Sequence, residues 1–598
     1  MIYKKFQTPE EACKDFLENE KQFHLGVIPT EQSNPITKNL SATIQRDTAE
    51  GIKLILAADH NIPTVATKAF KSKEFEQLVC DIVEAMENKK TVLFSSVGAS
   101  GRMAIQLDAG WRNFWTSLVQ KFPAKKQLLI DLSEVTNSHT TGGDRALVHS
   151  VENFEDYLTF GAEQVREAGI GEGDVLVALS ECGLSASVNG AAQEGARRGC
   201  KTYYFYCNPK EILYDNLERV RESFDNPKIT KLDLYVGNMA VAGSTRMQVT
   251  TVELLVAGAA LEVAAWRYIR AHFTEAEIKV LEDCGLGCLE PVEYAKAHKD
   301  LVRQLSKGKA LAGLAKAVDL EKATYDEHGL VTYVTHDCLL DIMTDTTERQ
   351  PTFTLPPFKK FNDNEAEVSW AYVKDPLYPN EIAWQHVFRR PIKGLEWTRE
   401  DYIRLNATPD IIDNPPHIEG KIVLEYNIGN ETDPSRFSRK PCRLLCMDIN
   451  NSANEQVLRW FNEQRPNFTE GVLIRMGAIA KGHKDKNEIL IPVKLPHTCT
   501  DLFTHLMVKL SFNLMSTATM AKMGRVYGNW MVQVLPTNKK LIDRSTRIIA
   551  NLAKIPYEQA NLEFFKSYYN RKPGDEYRES YVVETLARLG FDPSKDIE

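Results

Sequence analysis

The sequence predicts an α/β protein: two tandem, doubly wound parallel-sheet units, the second degenerate, followed by an all-helical C-terminal segment. Three observations predict it. Short apolar β-type runs alternate with helical patterns from Val92 to Phe273, the order that gives a parallel sheet with helices on both faces. The alternation resumes beyond Glu290, and 598 residues suffice for more than one domain. The tail from Lys509 shows helical patterning without a strand signal.

Residues 1–48 hold the polar phrase IPTEQSNPITKNL (Ile28–Leu40), whose two prolines predict an irregular or extended arm. Residues 64–90 read as helix. Val92–Phe94 is predicted strand, and Arg102 to about Leu118 helix. Gln127–Leu132 reads as strand and Asn153–Ala168 as helix. Asp174–Leu179 is rich in Val and Leu throughout, as a strand buried on both faces should be. A helix over Ser185–Arg198, strands at Lys201–Tyr206 and Leu232–Val236, and a long helix over Thr245–Phe273 complete the first unit. The second unit shows helix over Glu293–Ala317 and strand over Val331–Thr335. It adds apolar runs at Lys421–Leu424, Arg443–Cys446, Gly471–Ile474 and Ile489–Val493, and helix over Ala453–Asn462. Its first strand–loop–helix, VTYVTHDCLLDIM, has no Gly/Ser cradle. Residues 350–419 are rich in Pro, Asp and Asn and read as long excursions. Gly524, Gly528, Pro536 and Pro573 interrupt the helical tail. The expected division is therefore an arm (1–48), a first α/β domain (49–289), a degenerate second (290–508) and a helical cap (509–598).

Three loops in the first unit carry the chemistry. They are Ser96–Arg102, Ser180–Ser187 (SECGLSAS) and Ala242–Met247 (AGSTRM). Each follows a strand or strand region, is rich in Ser, Thr and Gly, and leads into a helix. Free N–H groups and the positive end of a helix dipole favour an anion there, and small side chains let the backbone approach it. Parallel sheets bind ligands beyond their carboxyl ends, so the three loops should meet around one phosphate or sugar phosphate.

Composition excludes other classes. Net charge is −8 with mixed signs and no dense Lys/Arg tract, against nucleic acid or an anionic membrane as partner. No run of about 18 apolar residues is apparent, so no membrane span is expected. The N-terminus lacks an apolar signal core, and the eleven cysteines show no zinc-type spacing. A reducing cytoplasm is the expected compartment. No metal or cofactor is expected.

Seven blocks, in order, carry a resemblance: IPTEQSNP (Ile28–Pro35), VGASGRM (Val97–Met103), TGGDRALVHSVENFED (Thr141–Asp156), GLSAS (Gly183–Ser187), YCNP (Tyr206–Pro209), AGSTRM (Ala242–Met247) and KLSFNLMSTATMAKMGRVYGN (Lys509–Asn529). On these the chain resembles the sugar-isomerase (SIS) domain group that holds glucokinase regulatory protein and the bacterial N-acetylmuramic acid 6-phosphate etherases. The etherases have one SIS domain per chain and form dimers. The regulatory branch has two in tandem plus a helical lid, which the length of this chain matches. That branch implies a phosphosugar sensor acting on a sugar kinase, and a monomer, because both SIS domains lie in one chain.

The resemblance implies ligand-binding roles for Gly98, Ala99, Ser100, Gly183, Ser185, Ser244, Thr245 and Arg246. Glu155 would hold sugar hydroxyls, and Lys509 would reach the phosphate from the lid. Ether cleavage needs paired acid–base groups. Of the two etherase glutamates, Glu155 matches one, while Gly110 stands at the other and only Asp108 lies nearby. Glu181, a carboxylate beside the expected phosphate, is out of pattern, and Gln248 stands where a lysine is common. Dispersed turns, or Glu181 filling the space, would overturn this reading. The bland alternatives are ion pairs at helix starts for Arg102 and Arg246, and a solvated helix lysine for Lys509. Glu155 has one as well, a first-turn carboxylate. His149 and His336 read as structural, and Trp111 with Trp115 as core.

Overall fold

The computed structural model describes residues 6–480, 485–571, 580–593 and 595. Two five-stranded parallel sheets organise the chain. The first has the order β2-β1-β3-β4-β5, from β1 (Val92–Ser96), β2 (Thr136–Thr140), β3 (Val175–Ser180), β4 (Lys201–Tyr206) and β5 (Ile229–Asp233). The second runs β10-β9-β8-β6-β7, from β6 (Leu330–Val334), β7 (Ala371–Lys374), β8 (Cys442–Ile449), β9 (Glu470–Gly477) and β10 (Glu488–Pro492). Matching β1 with β6 and so on through β5 with β10 makes the two orders identical: the fold is an internal repeat. β1 and β3 are buried along their whole length, as strands covered by helices on both faces must be.

Four helices pack against one another where the two units meet: Gly98–Ser117, Gln248–His272, Leu339–Phe353 and Leu502–Lys522. The Gln248 helix is long and apolar enough to cross a membrane, against the expectation of no such segment. Its apolar window is wholly buried inside the protein, which explains its composition. Trp111 and Trp115 are fully buried in the Gly98 helix as core, with their rings edge-to-face 5.6 Å apart.

Several expected elements differ. Gln127–Leu132 lies in a helix, Lys126–Ser133, whose Leu129, Leu132 and Ser133 are buried at helical spacing. The true second strand, Thr136–Thr140, alternates buried and half-buried residues but is polar, so hydropathy hides it. Leu232–Val236 overlaps only the end of β5, and Lys421–Leu424 lies in a 3-10 turn (Gly420–Glu425) rather than a strand. Within residues 350–419, where long excursions are expected, the four-residue strand β7 joins the second sheet. The helix expected over Glu293–Ala317 breaks at Ser306–Lys307 into Pro291–Leu305 and Gly308–Asp326. The arm is not wholly irregular, for it holds the helices Pro9–Asn19 and Leu40–Arg46.

The tail also departs from expectation. Lys509 lies inside the Leu502 helix, and a two-stranded hairpin, β11 (Val526–Tyr527) with β12 (Trp530–Met531), precedes the helices Lys539–Ala553, Tyr557–Asn570 and Tyr581–Arg588. Pro573 lies outside the described residues.

Candidate functional site

The first sheet reverses its strand order between β1 and β3, and the loops leaving those two strands therefore diverge and open a crevice at their carboxyl ends. A cavity of about 320 Å³ lies there, at the lower end of the roughly 300–1,000 Å³ typical of small-molecule sites. Seven of the predicted residues line it: Gly98, Ala99, Glu155, Glu181, Ser244, Thr245 and Arg246. The three loops do converge. The second unit contributes Glu348, and the Lys539 helix adds Lys540 and Arg544 as a roof.

Two glycines allow this geometry. Gly98 has φ +60°, a left-handed backbone that side chains disfavour, and it starts the Gly98 helix with its amide end toward the cavity. Gly243 has φ +76°, and a Cβ there would stand 2.6 Å from Arg544 Nε, so glycine lets the roof pack onto the third loop.

Glu181 takes two donors of the cradle that these loops form but leaves the cavity open, so the condition that would overturn the reading is met at the donors and not in the space beyond them. Its Oε1 accepts the Ser100 N–H at 2.9 Å, and its Oε2 accepts the Thr245 hydroxyl in a short bond. A carboxylate thus sits on the donors expected to receive a phosphoryl oxygen. Burial pushes its carboxyl above the usual range, opposed by those two hydrogen bonds.

Every cation lining the cavity is paired. Lys540 Nζ lies 2.9 Å from Glu155 Oε1. Burial works against its charge, and Glu155 outweighs burial, holding the ammonium above its ordinary range. Arg246 pairs with Asp345 of the second unit at 2.7 Å, and Arg544 pairs with Glu31. Arg102 pairs with Glu348, so Arg102 and Arg246 both tie the first unit to the second. His149 lines the cavity rather than standing apart; burial, then Arg145 and Arg102, push it down to about 4, so it is neutral near pH 7.

Asn538 caps the Lys539 helix. Its Oδ1 accepts the Leu541 N–H at 2.9 Å, and its amide donates to Glu155 at 3.3 Å. Asn538→Ala is expected to lower stability by about 1 kcal/mol, read as a shift in the urea midpoint.

Five predicted residues do not line the cavity. Ser100 presents its N–H to Glu181, but its hydroxyl turns down to Glu253. The Gly183 carbonyl accepts from Tyr204, and Ser185 stands at the N-cap position of the helix Ala186–Arg197 without a side-chain capping bond. Lys509 is buried beneath the third loop, where it donates to the Arg246 and Met247 carbonyls and to Thr251 and Asn513. Burial lowers it to about 7. The tail lysine that lines the cavity is Lys540, not Lys509. Asp108 is fully buried, paired with Arg112 at 2.8 Å and Arg390 at 3.2 Å, and accepts from Thr136 and Ser138. It is committed to the junction of the two units and offers the cavity no acid–base group. Gly110 faces a different cavity altogether. Glu348, Lys540 and Arg544 escaped sequence reasoning, since nothing local marks a residue whose partner is hundreds of positions away.

Residues 74–193 match the model of the glucokinase regulatory protein N-terminal SIS domain. An N-acetylmuramic acid 6-phosphate etherase of Petrotoga mobilis is 26% identical over 235 residues, 38% of this chain and 67% of the relative. The etherase of Pseudothermotoga lettingae is 28% identical over 232 residues, 39% of this chain and 68% of the relative. Among solved structures, the C-terminal domain of glucosamine-fructose-6-phosphate aminotransferase from Francisella tularensis covers 80% of this chain and 97% of its own length, at 10% identity and TM-score 0.41.

Proposed function

We propose that this SIS-domain protein, whose first unit belongs with the phosphosugar-binding SIS family, is a ligand-sensing regulator. It binds a hexose or amino-sugar phosphate between the first sheet and the Lys539 helix, and the bound state alters its affinity for a protein partner of the sugar-kinase class. One observation carries the reading: three loops from separate strands meet around a single cavity of about 320 Å³, which Glu181 borders and does not fill, although it takes two of their donors. A sensor of this kind couples ligand and partner by about 1–3 kcal/mol. Regulation is favoured over catalysis because Asp108 is locked in ion pairs, position 110 is glycine, and Lys540 holds Glu155. In this proposal the arm is 1–48, the ligand domain 49–289, the second SIS unit 290–508 and the cap 509–598. The chain acts as a monomer, without a cofactor at this cavity, in the cytoplasm. Its eleven free cysteines support a reducing compartment.

A melting scan against a phosphosugar panel tests binding. A ligand at about 100 times its Kd should add roughly 2.7 kcal/mol, and no stabilisation by any member would count against the reading. A second reading, a carbon–oxygen lyase on an amino-sugar phosphate, is favoured by the etherase relatives. Incubation with N-acetylmuramic acid 6-phosphate separates the two by lactate release. We expect none, and expect Glu155→Gln to weaken phosphosugar binding by about tenfold through the loss of a charged acceptor for sugar hydroxyls. Steady lactate production that Glu155→Gln abolishes would establish the lyase instead.

A further inference from the structure

The internal repeat places a second cavity at the equivalent position of the second sheet. That sheet reverses its order between β6 and β8, and a cavity of about 250 Å³ lies at their carboxyl ends. Its walls repeat the first site's plan: the loop after β6, the loop after β8, the start of the Leu502 helix, and one helix from the opposite unit, which supplies Gln106 and Gly110. Its chemistry differs. In place of a Gly/Ser cradle it presents a thiol, a carboxylate and an imidazole.

The Cys338 thiol, an Asp341 carboxylate oxygen and a ring nitrogen of His505 lie within 4.8 Å of one another. Cys338 is the N-cap residue of the Leu339 helix and Asp341 lies in its first turn. His505 comes from the first turns of the Leu502 helix. Both helices begin on a left-handed, non-glycine residue, Cys338 at φ 58° and Asp501 at φ 54°. Such conformations persist where the surroundings enforce them and cluster at ligand sites. Asp341 is oriented from across the unit junction by the Gln106 amide, and His505 Nδ1 lies 2.9 Å and 3.1 Å from its two oxygens. A carboxylate fixed by an outer hydrogen bond is the usual setting of a metal ligand. Gly110 borders the same cavity, beside His505.

We propose that Cys338, Asp341 and His505 hold a divalent transition-metal ion of the zinc class, with a fourth coordination position open to the cavity. Thiolate and imidazole donors select zinc-like ions over calcium and magnesium, and three protein ligands with one open position mark a site that binds an exogenous molecule. The neighbouring trio His336, Asp375 and His386 is as compact but does not fit a metal. Arg389 lies 3.0 Å from His386 Nε2, so a guanidinium faces one of its ring donors.

The test is a cobalt titration of the full chain after chelator treatment. The expected result is one equivalent of Co²⁺ bound, with a thiolate-to-cobalt charge-transfer band, and release of cobalt by Zn²⁺. Cys338→Ser should abolish the band, and Gln106→Leu should weaken binding by about tenfold or more while leaving the band in place. Absence of cobalt uptake by the wild-type chain would overturn the proposal, as would an unchanged band in folded Cys338→Ser. Melting curves of each variant show whether it is folded.

Discussion

Glu181→Ser is expected to raise the affinity for a hexose or amino-sugar phosphate by about 10–100-fold, or about 1.4–2.7 kcal/mol. In the wild-type chain the Glu181 carboxylate takes the Ser100 N–H and the Thr245 hydroxyl, the donors a phosphoryl group needs. A ligand must displace it and then bear its charge nearby. Two like charges about 4 Å apart repel by about 4 kcal/mol at an effective dielectric near 20, and the freedom of Glu181 to swing away reduces the net effect to the range given. Calorimetric titration of both chains with the same phosphosugar measures the difference. Glu181→Gln keeps the side chain's size but not its charge, so it should recover only part of the gain. Loss of binding in Glu181→Ser would instead make Glu181 a ligand to the sugar.

The pH dependence has a definite sign. Burial raises the Glu181 carboxyl above its ordinary 4.5, so the competitor begins to lose its charge above that pH as the solution is acidified. Wild-type affinity should therefore climb relative to Glu181→Ser as pH falls from neutrality toward that raised pKa. Taking the ratio of the two chains removes the ligand's own titration.

What was legible in the sequence was local. Buried parallel strands such as Val175–Ser180 announce themselves by continuous apolar runs, and the three small-residue loops by composition. Thr136–Thr140 was hidden because its buried side chains are hydroxyls: Thr136 and Ser138 donate to Asp108, so hydropathy sees a polar stretch. Glu181 could be flagged as out of pattern, yet its seat on the cradle depends on Thr245, which lies on another loop. The exchange of Lys509 for Lys540 has a similar origin. Which lysine of a helical tail meets a cavity is fixed by how the Leu502 and Lys539 helices pack, and motif spacing does not carry that information.

Glu31→Ala is expected to destabilise the protein by about 3–5 kcal/mol and to weaken phosphosugar binding with it. Glu31 is 1% exposed and receives two guanidinium groups: Arg544 Nε at 2.9 Å and Nη2 at 2.5 Å, and Arg547 Nη2 at 2.9 Å. Its own carbonyl also accepts from Arg547 at 2.8 Å. This one residue of the arm therefore clamps the Lys539 helix, which roofs the cavity, onto the loops below. A buried ion pair adds little net stability compared with apolar packing, but removing one partner strands the other's charge: Arg544 loses its carboxylate, and Arg547 keeps only Asp543, 2.7 Å away. Burial opposes the Glu31 charge, and Arg544 and Arg547 outweigh it, holding the carboxyl well below its ordinary 4.5. A group depressed in this way stabilises the fold fully above about 4.5 and loses that contribution as pH falls through its folded pKa. The gap between wild type and Glu31→Ala in urea midpoints should thus be widest near neutrality and shrink on acidification below about 4.5. Adding Arg544→Met to Glu31→Ala removes the stranded charge, leaves the Arg547–Asp543 pair in place and should restore much of the stability. It should not restore ligand affinity, because Arg544 itself lines the cavity. Recovery of both together would mean that the roof acts only through its stability, and that its charge plays no part in holding the phosphate.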